Sequence, residues 1–289
     1  MPHLDSSSHI KNSKFYQMLR DELIHLADLQ NEILAQENNE TDSFYTYAEL
    51  YDEIIGQKCL DDFTSQYIKF VHDSYNLNFS TSQILSIGCG TGIMEEYIIK
   101  TYQVSPDNLL GIDISEAMVK IASKKIKARL GNIIEMKAEK KDFDLCFSSL
   151  NFFQYLPALM MDKARQNTSK LTKKGGYFIG YFMTPDHIRW YPDVITSENV
   201  ISLRKALLLE EKHNSFQQSE IINISKLNGK LRVTYEGKQI RYLPSLWKVR
   251  HLFNKYFQSV DLFDAVTLEI LSFDNDTSPS TRYLVVAKN

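Results

Sequence analysis

Residues 84–100 read ILSIGCGTGIMEEYIIK and place Gly88, Gly90 and Gly92 within five positions. Ile84 to Ile87 has the apolar character of a strand buried on both faces, and IMEEYIIK has helical spacing, so the glycines form the bend of a strand, turn, helix unit. Glycine at such a bend permits positive φ and close approach of a ligand to the backbone. The helix start offers unpaired N–H groups to a negative group. In open α/β sheets ligands lie at the carboxyl ends of the strands, and this turn is at one such end. The spacing is G-x-G-x-G, with Ile93 where a dinucleotide loop would carry its last glycine, which argues against NAD. Asp113, 21 residues past Gly92 at the end of NLLGID, can accept both hydroxyls of a ribose. It also fits the cap region of the helix SEAMVKIASKKI, where Ser115 would serve as well.

The pattern around that unit sets the fold class. Short β-rich runs, ILSIG, NLLGID, ARLGN, FDLCFSSL and GGYFIGYF, alternate with helical segments, which predicts a mostly parallel sheet with helices on its faces. Before it, residues 11–36 carry apolar residues at three- and four-residue spacings, and FYTYAELYDEIIG and LDDFTSQYIKFVHDSY are helical in pattern. Between 219 and 243 the runs SEIINIS, KLRVTYE and KQIRYL are joined by Asn228-Gly229 and Gly237-Lys238, both good hairpin turns, so a small antiparallel meander is expected. One more helix and two strands close the chain. The expected division is an N-terminal helical cap over 1–80 and a core over 81–289, with the meander inserted at about 215–245.

Composition excludes several classes. With 33 Lys+Arg against 36 Asp+Glu, the chain has no overall field for holding a polyanion, so nucleic acid is not the default partner. The first residues lack the apolar core of a signal peptide, and no run of about 18 apolar residues suggests a membrane span. A soluble, cytoplasmic protein is expected. Cys59, Cys89 and Cys146 have neither an even count nor a metal-binding spacing and read as free thiols.

ILSIGCGTG, LLGIDISEAMVKIA, RLGNI, FDLCFSSLNFFQYLP and LTKKGGYFIGYF occur in the order and rough spacing of the motifs of class I S-adenosylmethionine-dependent methyltransferases. The resemblance covers about residues 84–183, with a weaker match in AELYD and in the final strand. It implies a Rossmann-like α/β fold with a seven-stranded, mostly parallel sheet and an antiparallel last strand. By the same resemblance Gly88, Cys89, Gly90 and Gly92 would line the methionine part of the cofactor, Asp113 would hold the ribose, and Ile114 and Met118 would pack on the adenine. Asn132 would meet the adenine amino group, with Ile133 beside it, and Ser149 and Leu150 would lie near the sulfonium. Ser86 stands where the family usually carries an acid, so it supplies a neutral hydrogen bond where a carboxylate would attract the cofactor's ammonium. No metal site is implied, since SSLNFF and GYFMTP lack the acids of the catechol type.

Methyl transfer from a sulfonium is an in-line displacement that needs alignment, and a base only where the nucleophile must lose a proton first. His187 in TPDHIRWYP follows the fifth strand at the substrate edge and is the first candidate base, although packing or surface histidines are common. Tyr47 and Tyr51 precede the sheet and are further candidates facing the methyl group. Tyr16, Asn151, Phe152, Tyr155, Tyr181, Arg189 and Trp190 are expected to line an acceptor pocket; the aromatics fit an ordinary core equally. The expected activity is methylation of an amino acid, amine or specialised metabolite, with a homodimer left open. The alternatives are an RNA methyltransferase of cap or tRNA type, and a non-catalytic protein that binds S-adenosylhomocysteine.

Overall fold

A computed structural model describes residues 45–136, 143–211, 214–227, 230–271 and 280–289, together with positions 21 and 24. The expected helix over 11–36 therefore lies outside the described residues, apart from helical positions 21 and 24. The described chain enters through a helical run that begins as a 3-10 turn at Tyr45–Leu50. It winds with wide i to i+5 turns at Asp52–Gly56 and Leu60–Thr64 and continues as helix α1, Ser65–Ser74.

The next elements alternate as the apolar periods require: β1 (Ile84–Ile87), α2 (Ile93–Tyr102), β2 (Leu109–Asp113), α3 (Glu116–Ala122), β3 (Lys127–Leu130) and β4 (Phe143–Ser148). Then come α4 (Phe152–Tyr155), α5 (Ala158–Leu171) and β5 (Thr172–Met183). Four strands follow in succession, β6 (Val194–Thr196), β7 (Val200–Glu211), β8 (Asn214–Leu227) and β9 (Lys230–Leu243). The chain closes with α6 (Leu246–Asn254), β10 (Ser259–Asp264) and β11 (Arg282–Lys288).

The main sheet has the order β10-β11-β5-β4-β1-β2-β3. β1 is central, parallel to β2 and β4, and every one of its residues is buried, which explains its unbroken apolar run. β11 runs antiparallel between β5 and β10, the expected antiparallel last strand. Helices α1 and α2 cover one face; α5 and α6 cover the other, where Phe153, Phe178, Phe182, Phe253 and Tyr283 pack ring against ring. Burying each such side chain contributes about 1.5–3 kcal/mol.

The second sheet, β6-β7-β8-β9, is larger than the expected meander at 215–245, because it begins at Val194 and includes Val200–Glu211. Gly237-Lys238 is also no turn. β9 runs straight through it, with Gly237 opposite Ile221 of β8. The glycine is needed for another reason: a Cβ there would lie 2.6 Å from the Tyr235 hydroxyl, so the missing side chain makes room for a folded-over ring. The other expected joint, residues 228–229, falls between β8 and β9 but outside the described residues.

Candidate active site

The turn after β1 is held by its own backbone. Gly88 and Cys89 both donate N–H to the Ile112 carbonyl, at 2.9 and 3.0 Å, and Gly88, Gly90 and Gly92 have φ of 71°, 54° and 78°. Those left-handed values account for glycine at all three positions. Gly88 is constrained further, since an added Cβ would sit 2.5 Å from the Phe152 ring, whereas Gly90 faces open space. Asp113 at the end of β2 locks the turn: one carboxylate oxygen accepts from Gly90 N–H at 2.9 Å and the other from Ser115 N–H at 2.9 Å. Of the two roles left open for Asp113, capping of α3 falls to Ser115, whose hydroxyl accepts from Met118 N–H at 3.3 Å. The Asp113 carboxylate keeps further lone pairs for hydroxyl donors.

Beneath the turn lies a buried pair that the sequence did not announce. Ser86 sits in the middle of β1, and its hydroxyl donates to Glu95 Oε1 of α2 at 2.5 Å, with both residues fully buried. The second carboxyl oxygen, Oε2, has no hydrogen-bond partner. Burial raises the Glu95 pKa to about 7, against the opposing pull of the Ser86 hydroxyl, with Asp113 adding to the rise and Lys125 lowering it. The helical run before the sheet is clasped onto the same turn: Thr91 hydroxyl donates to Asp52, and Asp52 pairs with Lys125 at 2.6 Å.

On the other side of the strand ends a second group converges. Tyr67 of α1 donates to the Ser149 carbonyl just past β4 at 2.6 Å, and the rings of Phe63 and Tyr67 both stack on Tyr181 of β5, at 5.3 and 5.9 Å. Gln154 of α4 makes two 2.8 Å bonds with the Met183 backbone and so fixes α4 against the end of β5. From the second sheet, Arg241 donates to the Tyr155 hydroxyl and lies over its ring at 4.6 Å. Arg204 and Arg241 lie over the Tyr191 ring at 5.8 and 5.9 Å, and Arg282 lies over Phe63 at 4.5 Å. His187 is buried edge-on to Tyr191, its ring centroid 6.4 Å away. Burial first, then Arg282 and Arg241, lower its pKa to about 3. Burial pushes the Tyr191 hydroxyl upward, but Arg241 and Arg204 outweigh it and the net shift is downward.

The expected cofactor residues gather at the ends of β1, β2 and β4. Ile114 is exposed at that edge, with Met118 and Ile133 buried beside it. The Asn132 side-chain oxygen, expected to meet the adenine amino group, accepts from Ile134 N–H at 3.1 Å and so closes its own turn. Asn151, at φ 27°, buries its side-chain nitrogen without a partner, and Leu150 is partly buried. Tyr51 packs against Val200, Ile221 and Tyr235, where the helical run meets the second sheet. Tyr155, Tyr181 and His187 all lie near Arg241, and Phe152 presses on Gly88, whereas Arg189 stands apart, exposed and paired with Asp186 at 3.6 Å. Tyr16 and the side chains of Tyr47 and Trp190 lie outside the described residues.

Sequence reasoning did not single out Glu95, Phe63, Tyr67, Arg204, Arg241 and Arg282, and took Tyr191 only as a neighbour of His187. Arginine inside the strand runs QIRYL and TRYLVV was a usable signal, since the runs around it are buried on both faces and a cation there needs a reason. Among the described residues, no three His, Cys, Asp or Glu side chains are placed to hold a metal ion, and no helix is long and apolar enough to cross a membrane.

Residues 84–176 match the family described as Methyltransferase domain. Over 92 residues the chain is 41% identical to malonyl-acyl-carrier-protein O-methyltransferase 1 of Ilyobacter polytropus; the match takes in 29% of this chain and 31% of that protein, so it spans under a third of the relative's length. The fold resembles an S-adenosylmethionine-dependent methyltransferase from Clostridium acetobutylicum, with a TM-score of 0.66 and 16% identity over 86% of this chain and 99% of the other. It also resembles the sugar N-methyltransferase KedS8 from a Streptoalloteichus species, with a TM-score of 0.61 and 12% identity over 88% and 97% of the two chains. Residues 84–176 are therefore similar to a methyltransferase domain, and the chain has the fold of S-adenosylmethionine-dependent methyltransferases. S-adenosylmethionine is the cofactor of such methyltransferases, and at Gly90 an added Cβ would meet nothing within 4 Å, so the backbone of the turn is open there.

Proposed function

We propose that the protein transfers a methyl group from S-adenosylmethionine to a small-molecule acceptor held beneath the β6–β9 sheet. One observation carries the reading: the turn locked by Asp113, at the carboxyl ends of β1 and β2, and the cluster of Tyr155, Tyr191, His187 and Arg241, past the carboxyl ends of the adjacent parallel strands β4 and β5, lie along one edge of the sheet. The similarity to a sugar N-methyltransferase supports a small acceptor, while the relative that methylates malonyl on an acyl-carrier protein leaves the attacking atom open between nitrogen and oxygen. When bound, the cofactor supplies an electrophilic methyl on sulfonium, and the displaced electron pair stays on sulfur.

Around it the chain binds and orients. Gly88, Cys89, Gly90 and Gly92 bring the backbone close, Asp113 accepts the ribose hydroxyls, and Ile114, Met118, Asn132 and Ile133 surround the base. Ser149 and Leu150 flank the methionyl part. The ammonium, in this reading, is held from below by the carboxyl of Glu95 with Ser86 as its hydroxyl partner, so the acid missing from β1 is supplied from α2. His187 is neutral near pH 7 and a weak base in this geometry. It orients the acceptor by hydrogen bonding, which favours a nucleophile that attacks without first losing a proton. Asn151, Phe152, Tyr155, Tyr181 and Tyr51 complete the walls, and the second sheet is the roof.

Tritium transfer from methyl-labelled cofactor to metabolite fractions, run beside calorimetry with S-adenosylhomocysteine, tests this. Micromolar binding and label in a low-mass fraction are expected. Binding without transfer to any fraction would sink the catalytic reading, and no binding would sink the cofactor assignment as well.

A further inference from the structure

We infer that the acceptor is an anion, bearing a carboxylate or a phosphate ester, seated among Arg204, Arg241 and Arg282 under the second sheet. The inference rests on the methyltransferase reading above.

Three guanidiniums arrive from three strands, β7, β9 and β11, onto one small group of side chains. Arg204 and Arg241 share the Tyr191 ring, and Arg282 and Arg241 both depress the basicity of His187. Arg204 and Arg241 are only 9% and 6% exposed. Burying a cation costs several kcal/mol unless a counter-charge is supplied. Elsewhere the fold places one nearby: buried Arg165 has Asp162 at 3.8 Å, half-buried Lys255 has the same carboxylate at 3.3 Å, and Lys125 has Asp52 at 2.6 Å. Among the described residues neither Arg204 nor Arg282 is in an ion pair. Arg204 Nε donates only to the Ser202 hydroxyl, at 3.0 Å, and Arg282 Nε is buried with no hydrogen-bond partner.

The rest of the lining has the same bias. The inward face of the sheet presents Gln217 opposite Arg241 and Ser219 opposite Gln239. The Gln239 amide nitrogen and His187 Nδ1 are buried without partners, in residues 4% and 7% exposed. Rings of Phe63, Tyr155 and Tyr191 stack under the guanidiniums and hold them in place, with Arg241 tied as well to the Tyr155 hydroxyl and the Gln239 side-chain oxygen. Carboxylates and phosphates match that fork geometry, and an oxyanion fills the charge deficit that an amine would aggravate.

The test uses the wild-type chain first. A metabolite extract is separated by anion exchange before reaction, and each fraction is incubated with methyl-tritiated S-adenosylmethionine. Label is expected in the retained, anionic fractions at tenfold or more over the flow-through. Phosphatase treatment of the active fraction separates the two sources, since it abolishes acceptance of a phosphate ester and spares a carboxylate. Acceptor activity confined to the flow-through overturns the inference. Arg204→Gln and Arg282→Gln, made singly, are each expected to lower label transfer at limiting acceptor about tenfold. Their affinity for S-adenosylhomocysteine should stay within twofold, which also shows that the variants fold. Equal losses of acceptor use and cofactor affinity would mean that the arginines only hold the fold, and would overturn the inference. If the wild-type chain binds no S-adenosylhomocysteine, the methyltransferase reading itself fails, a result distinct from binding the cofactor while refusing anions.

Discussion

Below the glycine turn the inward ionisable groups are acids, Glu95, Asp113 and Asp52, while under the second sheet they are the guanidiniums Arg204, Arg241 and Arg282 beside a neutral His187. The two regions also differ in how those charges are settled. Asp113 is satisfied by two backbone N–H groups, Asp52 by Lys125 and Thr91, and Glu95 at Oε1 by Ser86, with its pKa raised to about 7 and only Oε2 left without a partner. The floor is thus largely complete within the chain. In the roof, Arg204 and Arg282 have no carboxylate among the described residues. A floor finished in advance suits a cofactor common to many reactions, and a roof that needs an outside charge suits a selective acceptor site.

The harshest test of a prebuilt floor is Gly88→Ala. The new Cβ would meet the Phe152 ring at 2.5 Å while φ stays at +71°, so both sterics and backbone oppose it. A loss of about 2–4 kcal/mol in urea unfolding and at least hundredfold weaker S-adenosylhomocysteine binding are expected. Gly90→Ala, at φ +54° with nothing within 4 Å, should cost only about 1 kcal/mol. Equal effects at the two glycines would mean that Phe152 is not pressed onto the turn.

The floor was also the more legible region. Buried parallel strands advertise themselves, so the runs ending at Ile87, Asp113 and Ser148 announced both the sheet and its ligand edge. Ser86 was read as a missing acid, but its bond to the buried carboxyl of Glu95 was not seen. An acid in the first turn of a helix ordinarily reads as a solvated charge favoured by the dipole, and only packing shows it turned inward. The roof was harder for a topological reason. Arg204, Arg241 and Arg282 are scattered along the chain and meet only through the register of β7, β8 and β9 and the return of β11 beside β5. Gly237 misled because glycine marks turns and also marks close approach of a ring, and the sequence does not distinguish them.

Glu95→Gln sharpens the comparison at intermediate size. The folded pKa is raised from 4.5 to about 7, so between those values the folded protein holds a proton that the unfolded chain has released. The contribution of this group to stability therefore falls as pH rises through that window, by up to about 3 kcal/mol. His187 acts oppositely: its folded pKa is depressed, so its contribution is full above about 6.5 and is lost as pH falls toward 3. Because His187 is present in both proteins, it cancels in their difference. Glu95→Gln should thus gain stability relative to wild type between pH 5 and pH 8, measured by urea unfolding. At pH 8 it should also bind S-adenosylhomocysteine about tenfold more weakly. A stability difference independent of pH would show that the carboxyl ionises without penalty and is not a buried member of the floor.

The smallest effect belongs to an arginine outside the roof. Arg189 lies two residues from His187, yet it is exposed and its partner Asp186 sits at 3.6 Å on the same short helix. An exposed pair of this kind contributes about 0–1 kcal/mol, and its charge is screened within about a Debye length. Arg189→Ala should therefore change unfolding free energy by no more than about 0.5 kcal/mol and label transfer by less than twofold. Arg204→Gln, far away in sequence but inside the cluster, should act about tenfold on the same assay. If Arg189→Ala matched it, charge near the site in general would govern acceptor use, and the distinction between a placed guanidinium and a nearby one would fail.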